Sequence, residues 1–431
     1  MSFLISKMES LSQLDDFYEV LEKKMERPQE VAFKIEEKKL KEKKRNISTI
    51  LNVVAKKIDK HNGILYGGYA LNELLPKHLQ FYDEDTIPDY DFFVKDAEAV
   101  SKDIADKLKS IKQQYTEVRY AMHEGTYKVF SNFESVADVT QISKHEYDTL
   151  LKNSIKHKVN YKTTVKLAPI EFLKAVAYLE LCLPIGSSFR WTKTFERILR
   201  FEKANPLKKS NSLQLSIGDV FKSHELPQIF KNIHAICKQY IKLNELVYIN
   251  LNAMNVFTYL DNKKECKKVS KEEYILPLEI LSDDVSLTLN DITSKLRAYN
   301  FDYKITSFES FKTFIPKKTT ITILNTETNK YHKFVSIYDA TERCFAYLTR
   351  NNTRYVSIYF LMYIYYFKEL IEEKDENKVI LHKLYKIMDN ENTHAKLINL
   401  FTDKCFGTEN TMSAIKKNRW ENKKKALFYR P

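Results

Sequence analysis

Glycine is the residue that most constrains this chain. The 431 residues contain seven glycines; three lie within residues 63–68 and none lies between Gly218 and Gly407. The C-terminal half therefore cannot carry a Gly-rich P-loop or a GxGxxG dinucleotide turn. A chain so poor in glycine keeps it where only glycine will serve. The pair Gly67-Gly68 follows a short apolar strand, Ile64-Leu65-Tyr66, and precedes a short helix, Tyr69 to Leu75. At such a junction backbone N–H groups can approach an anion closely, and the helix N-terminus adds partial positive charge. Taken alone, the same pair is more readily a plain tight turn.

The following strand supplies a second constraint. In Asp89-Tyr90-Asp91-Phe92-Phe93-Val94, residues i and i+2 share a face, so Asp89 and Asp91 stand side by side. Two adjacent carboxylates are costly unless cations neutralise them, and hard oxygen ligands suit Mg²⁺ or Mn²⁺. The apolar continuation puts these acids at the mouth of a buried sheet rather than on a surface strand. A third acid, Asp138 in Ser135-Val136-Ala137-Asp138-Val139-Thr140, is poorly placed by strand propensity. On a neighbouring strand it could complete an ion site and take a proton from an attacking hydroxyl.

Charge agrees with a polyanionic partner. The formal net charge is +13, against 43% hydrophobic residues, enough for packed cores. Five cysteines are scattered singly, with no CxxC pair, which argues against structural zinc and fits a reducing compartment. The N-terminus has no basic-then-apolar leader, and the longest apolar-aromatic stretch, Tyr355 to Phe367, is too short to span a bilayer. A soluble intracellular protein is expected.

Along the chain, residues 1–45 read as a charged helical segment broken at Pro28. Residues 46–210 read as an α/β unit with a helical extension. Within it a helix buries Ile47, Ile50, Leu51, Val54 and Ile58, and another is capped by Asp96. Residues 169–203 read as two helices, the second placing Trp191, Phe195, Ile198 and Leu199 on one side. Arg190, Lys193, Arg197 and Arg200 recur on one face there, as a triphosphate or RNA contact or as a solvated face. Residues 211–431 form a C-terminal α/β and helical domain with a basic tail. Its Lys416, Lys417, Arg419, Trp420, Lys423, Lys424, Lys425 and Arg430 suit single-stranded RNA or simple solubility. Strands near 275–345 and the acid Asp339 loosely echo the first half.

A glycine pair, a DxD on a strand and one more strand Asp resemble the DNA polymerase β-like nucleotidyltransferase superfamily, although Gly68 to Asp89 is a long spacing for it. The strings GGYALNELLPKHLQFYD, IPDYDFF, HEGTYKVFSNFESVADVT and EFLKAVAYLELCLPIGSSFRWTKTFERIL, over roughly residues 60–205, resemble poly(A) polymerase catalytic subunits of poxviruses and giant cytoplasmic DNA viruses. The resemblance implies an α+β fold: a nucleotidyltransferase catalytic domain, helical segments, and a second, degenerate nucleotidyltransferase-like domain. It implies addition of AMP from ATP to RNA 3′ ends with Mg²⁺ or Mn²⁺. Asp89, Asp91 and Asp138 would be catalytic and metal-binding; Gly67, Gly68, Arg190 and Lys193 would bind nucleotide. A homodimer in the cytoplasm of an infected cell, in a viral factory or virion, is implied as well. A U- or CCA-adding transferase and a catalytically inactive RNA-binding subunit are the rival readings.

Overall fold

The structure is a computed structural model. It describes residues 11–82, 89–121, 125–160, 162–207, 215–261, 275–308, 311, 314–390, 401–408, 421 and 429–431. Helix α1, Leu11–Lys60, is continuous, with Pro28 inside it on a stretch whose side chains are exposed. The expected break at Pro28 is therefore absent. The lost N–H and the ring clash fall where nothing packs against the helix, so only local helix geometry is affected. Further along, Ile47, Ile50, Val54, Ala55 and Ile58 are buried at helical spacing, each contributing on the order of 1.5–3 kcal/mol for a large apolar side chain. A turn at Asn62, with positive φ, ends this face and starts β1.

The first α/β unit then runs β1 (Ile64–Tyr66), α2 (Gly67–Glu73), β2 (Tyr90–Val94), α3 (Ala97–Ser110), β3 (Glu117–Tyr120), β4 (Thr126–Ser131), β5 (Glu134–Gln141), α4 (Lys144–Lys152), β6 (Ile155–Asn160) and β7 (Thr163–Leu167). Asp96 caps α3 by accepting from the Ala99 N–H, which fixes where β2 must stop. The strands form one sheet in the order β3-β4-β5-β2-β1-β7-β6. Strands β1 and β2 are antiparallel, β2 and β5 parallel, and β1 and β7 parallel.

Helices α5 (Ile170–Leu181), α6 (Pro184–Ser187), α7 (Trp191–Ala204), α8 (Ile217–Ser223) and α9 (Lys231–Leu243) follow. On α7 the buried face is Thr194, Ile198 and Phe201, whereas Leu199 is 49% exposed. Trp191, Phe195 and Ile198 of the expected face do pack on the core, and only Leu199, one residue or about 100° past Ile198, falls outside it.

The second α/β unit is β8 (Val247–Tyr248), α10 (Asn250–Asp261), β9 (Leu278–Ser282), α11 (Val285–Ala298), β10 (Tyr303–Phe308), β11 (Lys318–Asn325), β12 (Lys330–Asp339), β13 (Cys344–Arg350), β14 (Thr353–Val356), α12 (Ile358–Glu372), α13 (Asp375–Asp389) and β15 (Phe401–Gly407). Its sheet order is β10-β11-β12-β9-β8-β14-β13-β15. Strand for strand this is the order of the first sheet, with β15 added at one edge. The directions also agree: β8/β9 antiparallel, β9/β12 parallel, β8/β14 parallel.

The units meet through α5 and α12. Phe172 packs on Phe93, Phe314 and Phe367. Beside it, Lys174 forms a buried ion pair with Glu202, whose carboxylate also accepts from Tyr366 at 2.7 Å. Such a pair holds the geometry of the junction more than it adds stability. Cys344 and Cys405, expected from their scatter to suit a reducing compartment, are instead joined by a disulfide across β13 and β15. Their separation of 61 residues leaves no spacing motif to read. Cys266 lies outside the described residues. Among those described, no helix is long and apolar enough to cross a membrane.

Candidate active site

The site sits where β1, β2 and β5 lie side by side. Tyr66 pairs with Asp91, and Asp91 with Asp138. Alternation along these strands turns Phe92, Val139 and Leu65 into the core, where all are fully buried, and leaves Asp91 and Asp138 together on the opposite face. Asp89 stands immediately before β2, two residues from Asp91, as the i, i+2 rule requires. Oxygen atoms of the three carboxylates lie within 4.8 Å of one another.

Electrostatics here are unfavourable without a cation. Burial and the neighbouring Asp89 and Asp138 charges push the Asp91 carboxyl up to about 8, opposed by Lys128 and Arg190. Lys128 on β4, directly across from Asp138, donates to Asp138 Oδ2 at 2.5 Å. The donor set fits a hard divalent ion: three oxygen ligands at a half-buried strand end, with one ammonium already drawn to them.

Gly67 fits a more specific need than close approach to an anion. Its φ is +70°, and a Cβ there would lie 2.5 Å from Asp91 Oδ2. A side chain at residue 67 would evict the carboxylate. A Cβ on Gly68 would lie 2.2 Å from the Tyr82 hydroxyl and 3.3 Å from Arg197 Nη1. Asn72 builds that wall: its side-chain oxygen accepts from the backbone N–H groups of Phe81 and Tyr82, both at 3.0 Å. Arg197 then lies over the Phe81 ring at 4.2 Å.

Of the stripe on α7, Arg197 is therefore the residue at the glycine turn. Arg190 is near enough to act on Asp91, and its Nε also pairs with Glu180 at 3.0 Å. Lys193 is exposed and has no ion pair among the described residues. Arg200 turns to Glu196 and the Gln80 carbonyl. Lys128 and Tyr82 were not foreseen from sequence; for Lys128 the signal is the hairpin register that sets it across from Asp138. His123, Glu124 and the cations from Lys416 to Lys425 lie outside the described residues. The chain end is described, and it docks on protein. Tyr429 bridges the edge strand at Val118 and donates to Asp106 at 2.6 Å, and Arg430 reaches Glu117 at 3.3 Å.

A mixed sheet with a carboxylate trio at two parallel neighbours, beside a glycine turn, is the arrangement of a nucleotidyltransferase-like fold. Residues 52–187, less than half of the chain, match the family model described as the poly(A) polymerase catalytic subunit. The chain is 29% identical over 163 residues to a putative poly(A) polymerase catalytic subunit of Acanthamoeba polyphaga mimivirus, covering 37% of this chain and 26% of that protein. It is 31% identical over 170 residues to the protein of the same description from African swine fever virus, covering 37% of this chain and 34% of the relative. The match thus spans about a third or less of these relatives. The crystal structure of the Megavirus polyadenylate synthase superposes with a TM-score of 0.68 at 19% identity, over 89% of this chain and 79% of that one. At that identity the likeness is one of fold.

Proposed function

We propose that the protein is a template-independent poly(A) polymerase. An RNA 3′-hydroxyl attacks the α-phosphate of ATP, forming a new phosphodiester bond and releasing pyrophosphate. The observation that carries this reading is the trio Asp89, Asp91 and Asp138 within 4.8 Å, inside the segment that matches the family. Asp89, Asp91 and Asp138 would hold Mg²⁺ or Mn²⁺. When bound, such ions neutralise charge on the attacking and leaving oxygens. Asp138 is also placed to accept the hydroxyl proton once Lys128 leaves it. The Gly67-Gly68 backbone, with Arg190 and Arg197 near it, would seat the triphosphate; Lys193 would reach it only by extending from its exposed position. The protein's own contribution is positioning and charge compensation.

In this reading residues 46–210 form the catalytic domain with its helical extension, and 1–45 the N-terminal helical segment. Residues 211–431 hold a degenerate nucleotidyltransferase-like unit with a basic tail. A homodimer acting in the cytoplasm of an infected host cell, in a viral factory or virion, accords with the family. Primer extension on a short RNA, with each nucleoside triphosphate supplied separately with Mg²⁺ or Mn²⁺, tests the function. A ladder with ATP alone is expected. Equal ladders with UTP or CTP would make it a different terminal transferase, and no ladder with any nucleotide would make it an inactive RNA-binding subunit.

A further inference from the structure

The second sheet has a position equivalent to the carboxylate centre, and lysines gather about it. Asp96 and Asp284 cap α3 and α11 with the same backbone angles, φ −136° with ψ 88° and 87°. Counting back from the caps, Asp91 corresponds to Glu279. The parallel partner of Asp91 is Asp138, and that of Glu279 is Ser336. The third acid has no counterpart, since Asp89 falls on Pro277 by the same count.

Ammonium groups surround this one carboxylate. Lys333 Nζ donates to Glu279 Oε1 at 2.5 Å and its side chain is 40% exposed. Lys318 pairs across the sheet with Tyr338, two residues from Ser336 on the same face. Lys318 and Lys368, the latter on α12, both feel the charges of Glu279 and Lys333. Neither has an ion-pair partner among the described residues. Glu372, which also acts on both lysines, lies 3.4 Å from Lys374. Other ammoniums act on Lys318 and Lys368, Lys333 on both, set against the carboxylates of Glu279 and Glu372. Burial and mutual repulsion lower the Lys318 pKa, and that of Lys368 to about 8. An incoming anion would relieve both.

An aromatic ring lies next to Lys318. Phe308 on the edge strand β10 is 45% exposed, and Lys318 Nζ sits 4.8 Å from its ring centre. An ammonium for a phosphate beside a free ring for a base is the chemistry of single-stranded nucleic acid. We infer that Lys318, Lys333 and Lys368 on the second sheet form a backbone-phosphate site for single-stranded RNA, with Phe308 as a base-stacking surface. The inference rests on the proposed function only for the polymer's identity as the RNA substrate.

Fluorescence anisotropy with a labelled single-stranded RNA, across a salt series, tests it without requiring catalysis. The variant Lys318→Gln should bind roughly fivefold more weakly at low salt, as for one lost charge-assisted contact. The slope of log affinity against log salt should fall by about 0.7. Lys318→Arg should stay near the parent. Unchanged affinity and slope in a Lys318→Gln protein that melts like the parent would overturn the site, even if primer extension with ATP succeeds. Inorganic tripolyphosphate, titrated in parallel, separates the sources of phosphate. Loss of tripolyphosphate binding with RNA binding intact would assign the site to a free polyphosphate and overturn the RNA assignment. Should Lys318→Gln fail to fold, the parent protein is crosslinked to 4-thiouracil RNA. Crosslinks should map to residues 303–338, and their absence there would overturn the inference.

Discussion

Gly67 closes β1 and Asn250 follows β8, and both hold positive φ, +70° and +49°. Opposite them lie Asp91 and, through the Ile249 N–H to Glu279 carbonyl bond, Glu279. The two turns occupy one place in two sheets of the same strand order. At the first, a Cβ would strike the Asp91 carboxylate, so only glycine fits. At the second, a buried Asn supplies a side chain that stabilises the Glu279 charge and lies 3.5 Å from the Tyr338 hydroxyl. In the first sheet carboxylates are gathered with a single lysine, leaving charge for a cation to neutralise. In the second, a lysine closes on the one carboxylate from within the protein. The same scaffold thus presents a cluster of carboxylates on one sheet and a cluster of lysines about a single carboxylate on the other.

The comparison breaks most sharply at the carboxylates. Asp89→Ala or Asp91→Ala should lower AMP transfer by about a thousandfold or more, because metal charge stabilisation supplies several kcal/mol, while the melting temperature hardly moves. Asp138→Asn should do nearly the same with RNA affinity unchanged. Activity of any of these within about tenfold of the parent would remove the first sheet from the chemistry. Next comes Gly67→Ala. It should lose about a hundredfold in activity through displacement of Asp91, beyond roughly 1–2 kcal/mol of backbone strain. Asn250→Gly, the matching change in the second sheet, should leave transfer per folded molecule unchanged.

A smaller effect is expected at Glu279, and of a different kind. Glu279→Gln strands Lys333 and Lys368 and should cost about 2 kcal/mol of stability, below the usual loss for a broken buried pair because Lys333 is partly solvated. Transfer per folded molecule should persist. Glu279 also gives a pH signature. Despite burial, Lys333 and Lys368 hold its carboxyl at about 2, below its ordinary 4.5. Its stabilisation is complete above about pH 4.5 and is lost as pH falls through 2. Chemical denaturation from pH 6 to 2 should show an acid loss that Glu279→Gln largely lacks. Last, Asp339→Ala should leave the first AMP addition near normal. Asp339 is paired with Ser282, past the catalytic register, and caps a turn at the Thr341 N–H. A dead Asp339→Ala variant would make the second sheet catalytic.

Much of the first sheet is legible in the sequence because each device there is local. The turn glycines, the Asp89/Asp91 spacing, the Asp96 cap and the β4–β5 alternation each lie within a few residues. What escapes is set at long range. Lys128 belongs to the site only through its register with Asp138, and Arg197 only because Asn72 folds residues 81–82 over Gly68. In the second sheet the sequence points to Asp339, which closes the apolar run Phe334 to Tyr338. The equivalent position is Glu279, identified by two helix caps that only the folded chain aligns. The Cys344–Cys405 bond has the same long-range origin.

Manganese binding tests most directly whether cation chemistry is confined to the first sheet. Electron paramagnetic resonance would follow Mn²⁺ titrated into the parent, the Asp89→Ala/Asp91→Ala double variant and Glu279→Gln, each with and without ATP. Mn²⁺ should bind the parent and Glu279→Gln, more tightly with ATP, and should be lost in the double variant. Parental Mn²⁺ binding in the double variant, or its loss in a folded Glu279→Gln protein, would place cation binding outside the first-sheet carboxylates.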